Sequence, residues 1–256
     1  GDRIITIGGC ITETVFKLGQ GNAVIAVDLS STIPSNVKEL PQVGYIRAIS
    51  TEGILSLMPD KIITTTDIGP PNVAKQLKES GIDLHILESP HTIEEIKILI
   101  NDIAEILDAK KQSIKTIKEK NEIDQKIKKI KSNYSTNPKI VFFMNPSKNS
   151  YSAAGSKTRA DYLINYMGGI NIFSKEFEKY KKVTKEEIIS QNPEIILIAS
   201  LQGKNSSHLF LQDTSLQSIS AVKNNFIFNI DMGELLSFGP SFASNVLSLI
   251  NSIDVK

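Results

Sequence analysis

From His91 to Asn137 the chain contains neither glycine nor proline, and glycine is missing from the whole span between Gly81 and Gly155. These two residues are the strongest breakers of regular backbone, so the stretch must be helical over most of its length. Thr92, with Glu95 three residues on, predicts a capped N-terminus, and Ile93, Ile96, Ile100, Ile103 and Leu107 supply an apolar stripe at helical spacing. Beyond Lys110 the pattern thins. As far as Lys131, Ile114, Ile117, Ile123, Ile127 and Ile130 stand among lysines and acids, as on a helix with a narrow buried edge that spans more than it packs. Its lysines read as a solvated face: the chain's formal net charge is only +1, which argues against a nucleic-acid partner.

On either side of this connector β-branched runs alternate with helical patterns. Residues 3–7, 23–27, 61–65 and 84–87 read as strands before it, with a helix over 72–80 stopped by Gly81; residues 139–144, 195–199 and 226–230 read as strands after it, with helices over 158–166, 184–190 and 241–250. The expected fold is therefore α/β, with an N-terminal lobe over 1–109, a connecting helix over 110–133 and a C-terminal lobe over 134–256. A gapless internal similarity links the halves. Residues 51–63 (TEGILSLMPDKII) match 185–197 (KEEIISQNPEIIL) as an acid, a short helix, Pro-acid and an entering strand, which pairs Glu52 with Glu186. No apolar run reaches the ~20 residues of a membrane span, and a start at Gly1 without methionine or signal-like residues suggests a processed mature form. Cys10 reads as a small buried hydrophobe, and no Cys/His spacing resembles a zinc site.

Enzyme signatures are missing, so the chain is expected to bind and not to catalyse. Gly8-Gly9 lacks the spacing of a dinucleotide loop, Gly155-Ser156-Lys157-Thr158 lacks the first glycine of a phosphate loop, and both read as turns. His85 and His91 are explained by packing or capping. His208 follows a Gly-Lys-Asn-Ser-Ser loop beyond a predicted strand end, where α/β folds place ligands, and is kept as a reserve ligand contact. The only arginines are Arg3, Arg47 and Arg159. In an extended segment Tyr45 and Arg47 would project to one side, and a guanidinium favours phenolate, a hard anionic ligand suited to ferric iron. An ordinary aromatic and arginine on a loop stays open as the alternative.

The stretch 43–60, VGYIRAISTEGILSLMPD, resembles the tyrosine signature of periplasmic haem-binding proteins that feed bacterial haem ABC importers. Further agreement lies in Ile7-Gly8-Gly9-Cys10-Ile11-Thr12-Glu13, Ala153-Ala154-Gly155, Gly168-Gly169-Ile170-Asn171 and Phe238-Gly239-Pro240, so the resemblance covers nearly the whole chain. It implies two α/β lobes joined by one long helix, a ligand cleft between them, and a monomer in the periplasm whose leader has been removed. Tyr45 is then the axial ligand to the iron of ferric haem b, Arg47 the partner of its phenolate, and Glu52 and Glu186 acidic knobs that dock on the permease dimer of the inner membrane. The family's arginines after Gly-Pro and after Ala-Ala-Gly are replaced by Ser241 and Ser156, so propionate contacts fall to substitutes such as Lys157 or Arg159. Two alternatives remain at this level: the same fold carrying a ferric siderophore or cobalamin, and a tetrapyrrole- or metal-dependent enzyme.

Overall fold

The computed structural model describes residues 2–200 and 204–254. Two compact units divide the chain, one running to Glu122 and taking in Ser237–Ala243, the other comprising Ile123–Leu236 and the residues from Ser244 on.

The first unit is built on a parallel sheet of order β2-β1-β5-β6, from β1 (Ile4–Thr6), β2 (Val24–Val27), β5 (Lys61–Thr65) and β6 (Asp83–Leu87). A two-stranded hairpin, β3 (Gly44–Tyr45) and β4 (Ala48–Ile49), stands apart from it. Helices α1 (Gly9–Lys17), α2 (Thr51–Ser56), α3 (Asn72–Glu79) and α4 (Ile93–Ile106) complete the α/β pattern. Ile5, Ile7, Ala26, Ile46, Ile54, Ile62 and Leu77 share one core cluster, so the strand runs in the sequence are buried as parallel strands require.

The second unit holds a mixed sheet of order β10-β8-β7-β11-β12, with β9 also pairing β7. Its strands are β7 (Lys139–Ser147), β8 (Ser150–Ala154), β9 (Ile170–Asn171), β10 (Tyr180–Val183), β11 (Ile195–Ala199) and β12 (Ile227–Ile230). β7, β11 and β12 run parallel, whereas β8 pairs antiparallel with β7 and β10 antiparallel with β8. Every residue of β11 is buried. After the long helix α5 (Lys110–Ser132), the unit carries α6 (Arg159–Tyr166), α7 (Lys185–Gln191), three short helices, α8 (His208–Leu211), α9 (Ser220–Lys223) and α10 (Met232–Leu235), and α11 (Phe242–Asp254).

The breaker-free stretch forms two helices, the second beginning at Lys110 where the sequence pattern changes. Leu107 caps α4 and Asp108 adopts φ +51°, a left-handed turn made without glycine before α5 begins. Thr92 accepts from the Glu95 N–H as expected, but the Glu95 carboxylate reaches past it to the His91 N–H. The larger departure concerns α5, whose buried edge is polar. Ser113, Thr116, Lys120, Asp124 and Ile127 recur at helical spacing and are buried, while Ile114 is 63% exposed. The polar edge is tolerated because its charged members find partners: Lys120 Nζ donates to the Pro240 carbonyl, and Asp124 accepts from the Tyr166 hydroxyl and pairs with Lys128. No helix among the described residues is long and apolar enough to cross a membrane.

Candidate functional site

Tyr45 and Arg47 lie on the hairpin of the N-terminal unit. Tyr45 pairs with Ala48, which leaves Ile46 and Arg47 as the two residues of the turn. The expectation that Tyr45 and Arg47 project together from an extended run is therefore corrected: Arg47 occupies the turn, because the chain reverses directly after Tyr45. Neighbouring backbone fastens the hairpin on both sides, the Leu29 N–H donating to Gly44 O at 2.8 Å, the Gly69 N–H to Ile46 O at 2.9 Å and the Ile49 N–H to Gly69 O at 2.9 Å. Ile46 itself is buried, so the turn is anchored from below.

This fastening leaves Tyr45 presented outward, 49% exposed. Arg47 places Nη2 3.7 Å from Asp67, whose other oxygen accepts from the Ser89 hydroxyl. With 68% of its side chain exposed, the guanidinium has room to turn toward an incoming anion. The glycine in Val43-Gly44-Tyr45 has a geometric reason, for its φ is +104° and a Cβ there would meet Ala48 O at 3.1 Å. Replacing Gly44 by Ala should cost about 1–3 kcal/mol of stability and shift the hairpin amide resonances, as urea melts and NMR would read.

The Gly8-Gly9 turn before α1 is closed to phosphate by the protein itself. Buried Asp28 accepts from the Gly8 N–H, from the N–H and hydroxyl of Ser30 and from the Ser31 hydroxyl, so a carboxylate already lies at this helix N-terminus. The neighbouring Thr6 and Thr12 hydroxyls continue this buried network to Ser31.

Glu52 and Glu186 occupy equivalent places in the two units, and the internal similarity proves structural. Ser50 caps α2 and Thr184 caps α7; Ile54 and Ile188 are both fully buried; Met58 and Asn192 both turn left-handed, at φ +48° and +47°. Asp60 accepts from the Arg3 N–H and Glu194 from the Lys139 N–H, each at 2.8 Å, joining the acid after proline to the neighbouring strand. Both glutamates lie exposed in the first turns of their helices. Beside Glu186, Lys185 is taken up by Asp213 at 2.5 Å. Lys185 and then the Ser215 hydroxyl pull the Asp213 carboxyl down to about 2. Because this value lies below that of an unfolded aspartate, the pair stabilises the fold above about pH 4. That contribution should be lost only as pH falls toward about 2, which a carboxyl NMR titration of Asp213 would show.

Arg159 opens α6 behind the Thr158 cap, and its Nη1 donates to Leu236 O at 3.1 Å. Burial pushes the Tyr180 phenol up to about 12, against the charge of Arg159. His208 begins α8 and is exposed; with Asn145, Lys148, Ser200, Lys204 and Ser206 it lines a cavity of about 330 Å³. Gly203 of the preceding loop lies outside the described residues. Arg159 does not line that cavity, so the structure does not bring it together with His208 there. Among the described residues no group of three His, Cys, Asp or Glu side chains is placed to hold a metal ion.

Residues 4–232 match the family described as periplasmic binding protein. The chain belongs to that family. A periplasmic binding protein is a ligand carrier and not an enzyme, and family membership implies a periplasmic location and work alongside ABC transporters. The periplasmic heme-binding protein RhuT from Roseiflexus sp. RS-1, in apo form, superposes with a TM-score of 0.90 at 27% identity, covering 99% of this chain and 98% of that one. The periplasmic heme-binding protein BhuT, solved with two hemes, gives a TM-score of 0.91 at 28% identity over 99% and 98%. By sequence, this periplasmic binding protein is 24% identical to the vitamin B12-binding protein of Vibrio parahaemolyticus, over 90% of this chain and 81% of the relative. The similar structures and the similar sequences thus carry different cargoes.

Proposed function

We propose that this periplasmic binding protein captures ferric haem b through Tyr45, as a monomer, and delivers it to the permease dimer of an ABC importer in the inner membrane. The observation that carries the reading is the presentation of Tyr45, a half-exposed phenol at the head of a hairpin held by three backbone hydrogen bonds. Phenolate is a hard anion that ferric iron takes as an axial ligand, and Arg47, one turn residue away, offers a largely exposed cation on the same hairpin. Cobalamin needs no such group, since its cobalt already carries axial ligands of its own, whereas haem iron brings only the four porphyrin nitrogens and must find its axial ligand in the protein. The similarity in structure to two periplasmic heme-binding proteins supports the same choice.

In the C-terminal unit His208 is the better candidate for meeting the ligand. The described residues lining its cavity include Lys148 and Lys204 and no carboxylate, which suits the acid groups of a porphyrin. Arg159, the substitute suggested by the missing family arginines, is already engaged by Leu236 O. Glu52 and Glu186, matched in position and exposed, serve as the docking pair.

The second reading, cobalamin, is favoured by the sequence relatives. Parallel titrations with haemin and cyanocobalamin separate the two. Saturable haemin binding with a tyrosinate charge-transfer band, and no retention of cobalamin, is the expected result; cobalamin binding without haemin binding would overturn the proposal.

A further inference from the structure

Besides Asp28, the N-terminal unit buries two charged side chains that ligand capture leaves unexplained: Glu13 on α1 and Lys120 on α5. Both grip the same piece of chain. Glu13 Oε1 accepts from the Ser241 N–H at 2.5 Å, and Lys120 Nζ donates to Pro240 O at 3.0 Å. A Cβ on Gly239 would lie 2.1 Å from Glu13 Oε2, so glycine is what lets the carboxylate approach. Phe238 and Phe242 flank this grip, fully buried, with ring centroids 4.4 Å apart.

The segment so held, Ser237–Ala243, groups with the N-terminal unit although the chain on either side groups with the other. It acts as a strap. The strap's first residue reaches the turn before α1, because a Cβ on Gly9 would meet Ser237 Cβ at 3.1 Å and Ser30 O at 2.9 Å. On the adjacent residue, a Cβ on Gly8 would stand 3.4 Å from Ile46 Cδ1, and Ile46 follows Tyr45. Close contacts therefore run from strap to glycine turn to hairpin.

We infer that Glu13 and Lys120 are positioning residues: they clamp the Ser237–Ala243 strap against the Gly8-Gly9 turn and through it hold the Tyr45 hairpin in place. The motifs Gly8-Gly9-Cys10-Ile11-Thr12-Glu13 and Phe238-Gly239-Pro240, distant in sequence, are the two sides of this clamp. Burial raises the Glu13 carboxyl, while its bonds to Ser241 and the charges of Lys120 and Lys17 oppose that rise. Lys17 is itself paired with Glu119 at 3.3 Å. The mechanical claim stands on the contacts alone; only its consequence for ligand capture rests on the haem reading.

Amide hydrogen exchange on the full chain tests it, in wild type, Glu13→Ala, Glu13→Gln and Lys120→Met. A charged hydrogen bond lost at Ser241 should speed exchange of its amide about tenfold or more in Glu13→Ala. The Ile46 and Ile49 region should accelerate with it, while β6 and β11 keep wild-type rates. Glu13→Gln retains an acceptor oxygen and should restore most of the protection, and Lys120→Met should loosen the strap as well. The inference is overturned if the hairpin stays unchanged while the strap loosens, if acceleration spreads evenly into β6, or if Gln protects no better than Ala. Should Glu13→Ala fail to fold, the Gln and Lys120→Met variants carry the same comparison. Tyr45→Ala should leave strap exchange at wild-type rates, so failure of haem binding and failure of the clamp are read separately.

Discussion

Tyr45→Ala should weaken haemin binding by about a hundredfold or more, roughly 3 kcal/mol, and abolish the tyrosinate charge-transfer band. The size is that of losing the one protein ligand proposed for the iron. Tyr45→Phe is the sharper variant. It keeps the ring and removes only the oxygen, so it should resemble Ala in haemin affinity and wild type in binding metal-free protoporphyrin. Arg47→Ala should cost less, about tenfold, because the guanidinium supports the ligand without being one. Haemin titrations that look alike for wild type and Tyr45→Phe would remove tyrosine ligation.

The second large effect concerns transfer. Glu52→Ala with Glu186→Ala should reduce haem uptake through the importer at least about tenfold while leaving the haemin dissociation constant unchanged. Docking of this kind is steered by complementary charge, so the single variants should each lose part of the rate and wild-type uptake should fall with added salt. The fold should tolerate the changes, because the helix caps are Ser50 and Thr184 and not the glutamates. Each glutamate contributes at most about 0.3–1 kcal/mol through the helix dipole. A melting temperature within a few degrees of wild type checks this; loss of haem binding in the double variant would show that the glutamates do something other than dock.

Legibility in the sequence followed the range of the interactions. Strands 61–65 and 195–199 are found at their predicted bounds, Thr92 caps the helix expected after it, and Thr158 and Thr184 prove to be the caps of helices expected to begin at those residues, because burial and capping are written within a few residues. The antiparallel strands β8 and β10 were not foreseen: Lys181 and Lys182 are exposed on β10, so no apolar run marks it. The buried edge of α5 escaped for the opposite reason. Apolar spacing points to Ile114, whereas the edge includes Lys120 and Asp124, whose partners Pro240 and Tyr166 lie far along the chain. At the candidate site the signature pointed to Tyr45 and Arg47, but the reversal between them did not show, because two-residue strands carry no periodicity. The strap had no sequence signal beyond two small glycine motifs.

The strap also bears on how the protein is made. Ser241 meets Glu13 across 228 residues of sequence, so the N-terminal unit is not a contiguous product of the first half of translation. A ribosome that has released Glu122 has supplied the parallel sheet and α1, yet the segment that Glu13 and Lys120 grip has not been made. Such late, long-range closure slows folding and leaves an intermediate in which the strap's grips are still unmade. A truncation ending after α5 would preserve every strand of the first unit and still be an unfinished domain. Refolding from denaturant is accordingly expected in two phases, with the slower one reporting on the arrival of residues 237–243.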